Sequence, residues 1–494
     1  MKNKSFLLRL STLLLALVLL LSVCSCTSSD EENGEKTPNQ NPGESTQSGE
    51  ESTSEIDPLE TLPNVTYGYE KFTFLLRNGA EHISDIGVEK LTSTSSIVDE
   101  AVYERNMEIQ ERFQVDFKFV KVELEEQAAT INNAVKGDPE MYDVIAADGR
   151  TVFTGVTSGY YADWNELEYI DLDAEWWSQS VRKEWTTPSG KLFAMNGDLS
   201  YMSIGNNCAV FFNKDIVEKV GVTSPYQQVY DNNWTLDTFM STVKQIDSNM
   251  NHDNTDNIDT DSFGYATQQW RGPIYVSFCA NVPSLVKDTD GRYQIGWKDE
   301  LVGNTVEKYI DLINESGAAY YGTNLSKVRN AFKNERVAFT DDNVKCAVYF
   351  SDLEWDFGIV PFPKATAENE FSSLVGSGTN TFAVVKNMSE AKRTRSSAIL
   401  EAMACYGYVD VIPCYYDTVL SYQKMRDEQS LEMLKIIRSA GFYDLGHYIN
   451  YGNVADLTKL MIEKPSTYGT SIYTAITKVE SEVLAMLEVF YTLE

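Results

Sequence analysis

The chain has 494 residues, of which 41 are Lys or Arg and 73 Asp or Glu, for a formal net charge of −32. That excess of carboxylates weighs heavily against a nucleic-acid binder, which needs a basic face, and against loose adhesion to an acidic membrane. With 43% hydrophobic and 12% aromatic residues, the chain can fill two domains of ordinary size.

In chain order, Lys2, Lys4 and Arg9 precede an apolar run from Leu10 to Val23 broken only by Ser and Thr. This run is shorter than the roughly 20 apolar residues of a spanning helix, and with its basic start it reads as an export signal over 1–25. Cys24 and Cys26 follow, a spacing open to a metal pair, a disulfide or an attachment point. In Val23-Cys24-Ser25-Cys26 the small Ser25 before Cys26 resembles a lipoprotein processing site, so Cys26 is expected to carry a diacylglyceryl group, palmitate included. Bulky Val23 before Cys24 does not fit. Residues 26–66 are almost wholly Ser, Thr, Glu, Asp, Asn, Gly and Pro up to Thr61. Such a stretch cannot bury enough apolar surface to offset the entropy of ordering, and is expected to be a disordered acidic tether.

The β-rich run Phe72-Thr73-Phe74-Leu75-Leu76 predicts a buried strand ended by Arg77-Asn78-Gly79. Val98, Val102, Ile109 and Phe113 predict a helix, and Val115 to Phe119 alternate as a strand. A second helix carries Ala128, Ile131 and Val135 and stops at Gly137-Asp138-Pro139. Tyr142 to Ala146 then read as a buried strand opening into Ala147-Asp148-Gly149-Arg150. This alternation predicts a largely parallel sheet with helices on both faces and ligands gathered beyond the strand ends. A second unit begins at Ala209-Val210-Phe211-Phe212 and runs into a helix over Asn213 to Glu218. Thr235 is placed to cap a helix with Leu236, Phe239, Met240 and Val243 on one face. Val302, Val306, Tyr309, Ile310 and Ile313 mark another helix, Asp356 to Val360 and Thr381 to Val385 are strand-like, and Ile472, Ile476, Val479, Val483, Leu487 and Phe490 share one helical face. Cys208, Cys279, Cys346, Cys405 and Cys414 are an odd set in apolar contexts, which favours buried thiols over a disulfide framework; a Cys405–Cys414 bridge is the alternative.

Seven stretches stand out in order along the chain: Ala101-Val102-Tyr103-Glu104-Arg105-Asn106, Tyr142-Asp143-Val144-Ile145, Gly197-Asp198-Leu199-Ser200, Phe212-Asn213-Lys214-Asp215, Asn233-Trp234-Thr235-Leu236-Asp237, Asp356-Phe357-Gly358-Ile359-Val360-Pro361 and Met425 to Leu434. Together they resemble the extracellular solute-binding proteins of family 1, the lipoprotein receptors of bacterial ABC importers, in a subgroup common in clostridia. The resemblance implies an α/β, two-lobed periplasmic-binding-protein-like fold (type II), with mixed sheets flanked by helices and a ligand cleft between the lobes. It assigns 67–202 and 355–386 to the first lobe and 203–354 and 387–494 to the second. It also implies the function: capture of a carbohydrate, such as an oligosaccharide, and delivery to the transmembrane permease. The protein would be a monomer held by Cys26 lipid at the extracellular face of the bacterial cytoplasmic membrane, and not an enzyme.

A sugar site needs aromatic faces for C–H surfaces and polar groups for hydroxyls. Asp148 and Arg150 follow a strand end, although Asp148 could equally cap the next turn. Trp176 and Trp177 offer rings for the cleft or for the core. Trp270 and Arg271 offer a stacking face beside a cation, Asp341 and Asp342 offer acceptors, and Arg77, Asn78 and Asp198 sit at strand ends. The loop from Asn251 to Asp259 resembles the start of an EF-hand-type calcium loop, with Asn251, Asp253, Thr255 and Asp259 as side-chain ligands and Asn257 through its carbonyl. It has Asp256 in place of the usual glycine and Ser262 in place of the bidentate Glu; the alternatives are a structural calcium and a solvated acidic loop, and no cofactor is otherwise required.

Two other classes compete: a lipid-anchored extracellular receptor or adhesin for a non-sugar ligand, and a glycan-acting enzyme. The sequence has no G-x-S-x-G elbow, H-E-x-x-H helix or phosphate loop, and His82, His252 and His447 are far apart.

Overall fold

The computed structural model describes residues 58–246, 257–315, 318–421 and 428–493. Along the chain, β1 (Glu70–Arg77) is followed by α1 (Ala80–Ile86), α2 (Ile97–Phe113), β2 (Val115–Val122), α3 (Leu124–Gly137), β3 (Val144–Asp148) and α4 (Gly149–Thr157). After a stretch whose only regular elements are short helices come β4 (Cys208–Asn213), α5 (Lys214–Val220), α6 (Pro225–Tyr230), α7 (Leu236–Gln245), β5 (Phe263–Gln268) and a hairpin of β6 (Leu285–Lys287) and β7 (Tyr293–Ile295). Then follow α8 (Glu300–Glu315), β8 (Ala319–Gly322), β9 (Val337–Asn343), β10 (Phe357–Val360), β11 (Ser373–Leu374), β12 (Asn380–Ala383) and α9 (Glu390–Tyr406). The chain finishes through α10 (Glu428–Ser439), β13 (Gly441–Phe442), α11 (Leu445–Ile449) and α12 (Ile472–Leu487).

Two mixed sheets carry the fold. The first runs β12-β3-β1-β2, parallel except for β12, and the second runs β10-β4-β9-β5-β8. In the second, β5 is parallel to β8 and β9, and β4 is antiparallel to β9 and β10. Every residue of β4, β5 and β9 is buried, as expected of strands covered on both faces. In the first sheet Phe72, Phe74, Phe117 and Phe119 stack along one face, with Phe74 and Phe119 rings 5.0 Å apart. The predicted helices begin where their caps require: Thr235 Oγ1 accepts from Thr238 N and Asn213 Oδ1 from Ile216 N.

The chain passes from the first sheet to the second before β4 and returns after β11. These two passages lie side by side, with Asn207 bridged to Val375 and Gly376 N donating to Asn206 O at 3.1 Å. The segment 355–386, expected whole in the first lobe, is therefore divided: β10 joins the second sheet and β12 the first. The expected start of second-lobe sequence at 387 is also corrected. On α9, Arg395 donates to the fully buried Asp143 at 2.7 Å and Ser396 donates to the Asp143 carbonyl, which fastens α9 to the base of β3. α10 packs on the second sheet, where Ser430 and Tyr226 share a hydrogen bond of 2.7 Å.

Two smaller expectations also change. On α3 the buried face is Gln127, Ile131 and Ala134, and Ala128 is exposed, because Gln127 Oε1 accepts from Asp148 N. Among the described residues there is no disulfide; Cys405 is buried and Cys414 directs its thiol to the Ile97 carbonyl, so they are not bridged.

Candidate functional site

The carboxyl ends of β1, β3, β5 and β9 face a common cavity of about 290 Å³ between the two sheets. Arg77 and Glu81 form one side with Arg150; Trp270, Arg271, Tyr275, Asn343 and Lys345 form the other; Asn206 and Gly376-Ser377-Gly378 make its floor with His447. Strand ends place these side chains because loops there leave the sheet with polar groups unpaired, the usual ligand position in open α/β sheets.

The floor is a chain of hydrogen bonds running between the sheets. Tyr275 Oη donates to Asn343 Oδ1 at 2.6 Å, Asn343 Nδ2 donates to Asn206 Oδ1, and Asn206 Nδ2 donates to Thr379 Oγ1 at 2.9 Å. Gly149 N donates to Ser377 O, and a Cβ at Gly149 would stand 2.4 Å from the Tyr448 ring. The glycine allows α4 to begin directly against the return passage.

Asp148 plays the capping part: Oδ1 accepts from Arg150 N at 3.1 Å, while Oδ2 pairs with Arg77 at 3.1 Å. Burial pushes its carboxyl up, opposed by Arg77. On the opposite side, Asp342 accepts from Arg271 Nε at 2.8 Å and Arg329 Nε at 2.7 Å. Burial alone would raise it, but the two guanidiniums bring it down to about 2. His447 is neutral: burial and then Arg150 lower it to about 3, and its Nε2 accepts from Ser377 N.

Of the residues expected at a ligand, Arg77, Arg150, Trp270 and Arg271 line this cavity, and Asp148 and Asp342 hold its arginines from behind. Trp270 is 43% exposed, with Lys459 Nζ 4.4 Å from its ring centre. Asn78 lies nearby at the surface, donating to Glu123.

Asp341 faces the other way from Asp342, because successive strand residues point to opposite faces. Its Oδ1 accepts from Tyr265 Oη at 2.6 Å, inside the second lobe. Trp176 and Trp177 are 7% and 2% exposed, and both indoles donate to Glu401 at 2.9 Å. With Asp198 they border a separate cavity of about 180 Å³. Asn206 lines the first cavity and Asn207 the second, as do Gly376 and Val375, so the passages divide the two.

Asn251, Asp253 and Thr255 lie outside the described residues. Asp259 is paired with Lys327 at 2.5 Å, and Asn257 Oδ1 accepts from Asp259 N. Among the described residues no cluster of His, Cys, Asp and Glu is arranged to hold a metal, and no helix is long and apolar enough to cross a membrane. Glu81, Asn206, Tyr275, Lys345 and His447 were not anticipated. Gly376-Ser377-Gly378 carried a turn signal, but the others sit in ordinary helical or loop sequence.

No protein-family model and no curated protein matches the chain. Solved structures do. The cyclic α-maltosyl-1,6-maltose binding protein from Arthrobacter globiformis aligns at TM-score 0.58 and 13% identity, over 85% of this chain and 100% of that one. An ABC substrate-binding protein from Listeria monocytogenes, in complex with cycloalternan, aligns at 0.55 and 11%, over 85% and 99%. UgpB from Mycobacterium tuberculosis, in complex with glycerophosphocholine, aligns at 0.52 and 13%, over 85% and 99%. The chain has the two-lobed fold of these binding proteins. The cavity of Arg77, Trp270 and Arg271 lies between its two sheets.

Proposed function

We propose that the protein is a carbohydrate-binding receptor that captures its ligand between the lobes and presents it to the permease of an ABC importer. The observation that carries this reading is the exposed Trp270 ring at the edge of an interlobe cavity walled by Arg77, Arg150, Arg271 and Asn343. An indole face suits the C–H surface of a sugar ring, and guanidinium and amide groups suit its hydroxyls. Of the solved structures that share the fold, one is named as a cyclic α-maltosyl-1,6-maltose binding protein and another is in complex with cycloalternan, which supports the sugar class.

The role is binding and not catalysis. Lipid on Cys26 would hold the receptor at the extracellular face of the membrane, with the acidic stretch from Thr27 to Asp57 as its tether; the tether expected to run to residue 66 stops short of that, because Pro58–Glu60 form a 3-10 turn and Leu62 is buried in the core. Support for the anchor is the run of basic, apolar and small residues before Cys26.

Thermal-shift screening against mono- and oligosaccharides tests the ligand class, because a ligand that binds only the folded state raises Tm. A peptide or metal that raised Tm where no glycan did would sink the sugar reading, and turnover of a glycan would move the protein to the enzymes. For the anchor, Cys26→Ser should release the protein or block processing, and Cys24→Ser should leave it membrane-bound.

A further inference from the structure

We infer that the cleft selects a negatively charged sugar, bearing a carboxylate, sulfate or phosphate, over its neutral counterpart, because four cationic side chains face the cavity and the carboxylate partners of the three arginines are set behind them. The inference rests on the carbohydrate reading above.

Acidic residues outnumber basic ones 73 to 41 across the chain, so a wall drawn without selection would be acidic. Among the described residues that line the cavity, Arg77, Arg150, Arg271 and Lys345 are cationic and Glu81 is the one carboxylate. His447 also faces it and is neutral.

Glu81 shares the wall with its partner Lys345 and is 52% exposed, whereas the carboxylates that balance the three arginines stand behind it. The four cationic side chains are 17–36% exposed, while Asp342, Asp148 and Asp456, which pair with Arg271, Arg77 and Arg150, are 2–13% exposed. Asp456 stands 3.7 Å from Arg150, a loose pairing. Each guanidinium has five N–H donors, and the protein uses only some of them: Arg77 donates from Nη1 to Asp148, Arg271 from Nε and Nη1, and Arg150 from Nε to the His447 carbonyl. The carboxylates fix the planes of the guanidiniums and leave further donors for a ligand.

Such fixed forks match the paired oxygens of a carboxylate, sulfate or phosphate ester. A neutral sugar hydroxyl gains less from them, so charge separates the two ligand classes. Trp270 supplies the ring platform at the same site, beyond what an inorganic anion would need.

The test is calorimetric titration of the full chain with matched pairs: trigalacturonate against its methyl ester, and glucose 6-sulfate and glucose 6-phosphate against glucose, with inorganic sulfate and phosphate alone. We expect at least one acidic sugar to bind about tenfold more tightly than its neutral partner. The winning pair identifies the acidic group. The advantage should shrink as NaCl rises from about 50 to about 500 mM, and fall about tenfold in Arg150→Gln and in Lys345→Gln. These two are the most exposed of the four cations, and equal Tm values without ligand would show that both variants fold.

Acidic sugars binding no more tightly than their neutral partners would overturn the inference. If neutral glycans then bound, the carbohydrate reading would still stand. If inorganic sulfate or phosphate bound while every sugar failed, the carbohydrate reading would fall and this inference with it.

Discussion

Lys345 reaches across the cleft to Glu81, with 2.5 Å between Nζ and Oε2. Glu81 lies on α1 after the first strand, and Lys345 follows β9 of the second sheet, so one ion pair ties the two walls of the cavity. Both side chains are partly exposed, and such a pair contributes about 1 kcal/mol or less. It is a latch weak enough to release. Glu81→Gln is expected to raise the open population of the ligand-free protein, seen as a larger radius of gyration by small-angle scattering. High salt should do the same to the native protein and little more to the variant.

Trp270 and Trp177 separate binding from stability. Trp270 is exposed at the cavity edge, and Trp177 is 2% exposed with its ring 5.5 Å from that of Trp164. Trp270→Ala should lower affinity for a bound glycan about tenfold or more and change unfolding free energy by no more than about 0.5 kcal/mol. Trp177→Ala should cost about 3–5 kcal/mol in urea unfolding. Equal losses of stability would contradict the assignment.

Glu401 makes the pH behaviour of this aromatic cluster measurable. Burial pushes its carboxyl from 4.5 up to about 7, against the opposing pull of the Trp177 and Trp176 indoles. The folded state therefore holds a proton that the unfolded state has lost. The sign follows: this group's contribution is fully present below pH 4.5, declines as pH rises to about 7 and is constant above. Against Glu401→Gln, the native protein should lose roughly 3 kcal/mol of relative stability across that interval. Parallel pH profiles for the two proteins would refute it.

How much of this was readable in the sequence depended on whether a residue's role is local. The strands at Phe72 and Val210, the Thr235 cap and the helical pattern of Ile472 to Leu487 were legible because periodicity and capping act within a few residues. Asp148 and Arg150 could be placed at a strand end for the same reason. Lys345 and Glu81 could not be paired, since 264 residues separate them and neither lies in a motif. Sheet membership failed likewise at 355–386: β10 and β12 have similar apolar strands, and only the partner strand decides the sheet. Gln127 is absent from the expected face of Ala128, Ile131 and Val135 because its reason for burial is the Asp148 amide.

Asp341 and Asp342 were read together as acceptors, and the alternation of β9 gives them opposite energetics. Asp341 is pushed up to about 7 by burial beside Tyr265, and Asp342 is brought to about 2 by Arg271 and Arg329 after burial is overcome. Asp342→Asn removes the partner of two guanidiniums and is expected to cost about 3–5 kcal/mol at neutral pH. Because the folded pKa lies below the unfolded 3.8, the stability due to this carboxylate is present above 3.8 and lost as pH falls through about 2. The cost of the substitution should therefore shrink between those values. Asp341→Asn should cost less at neutral pH and relieve the burial of a charge above pH 7, so its stability relative to the native protein should improve as pH rises from 3.8 to about 7. Urea unfolding of both variants between pH 3 and 8 checks the pair; equal penalties at neutral pH would mean that the two aspartates do not face different surroundings.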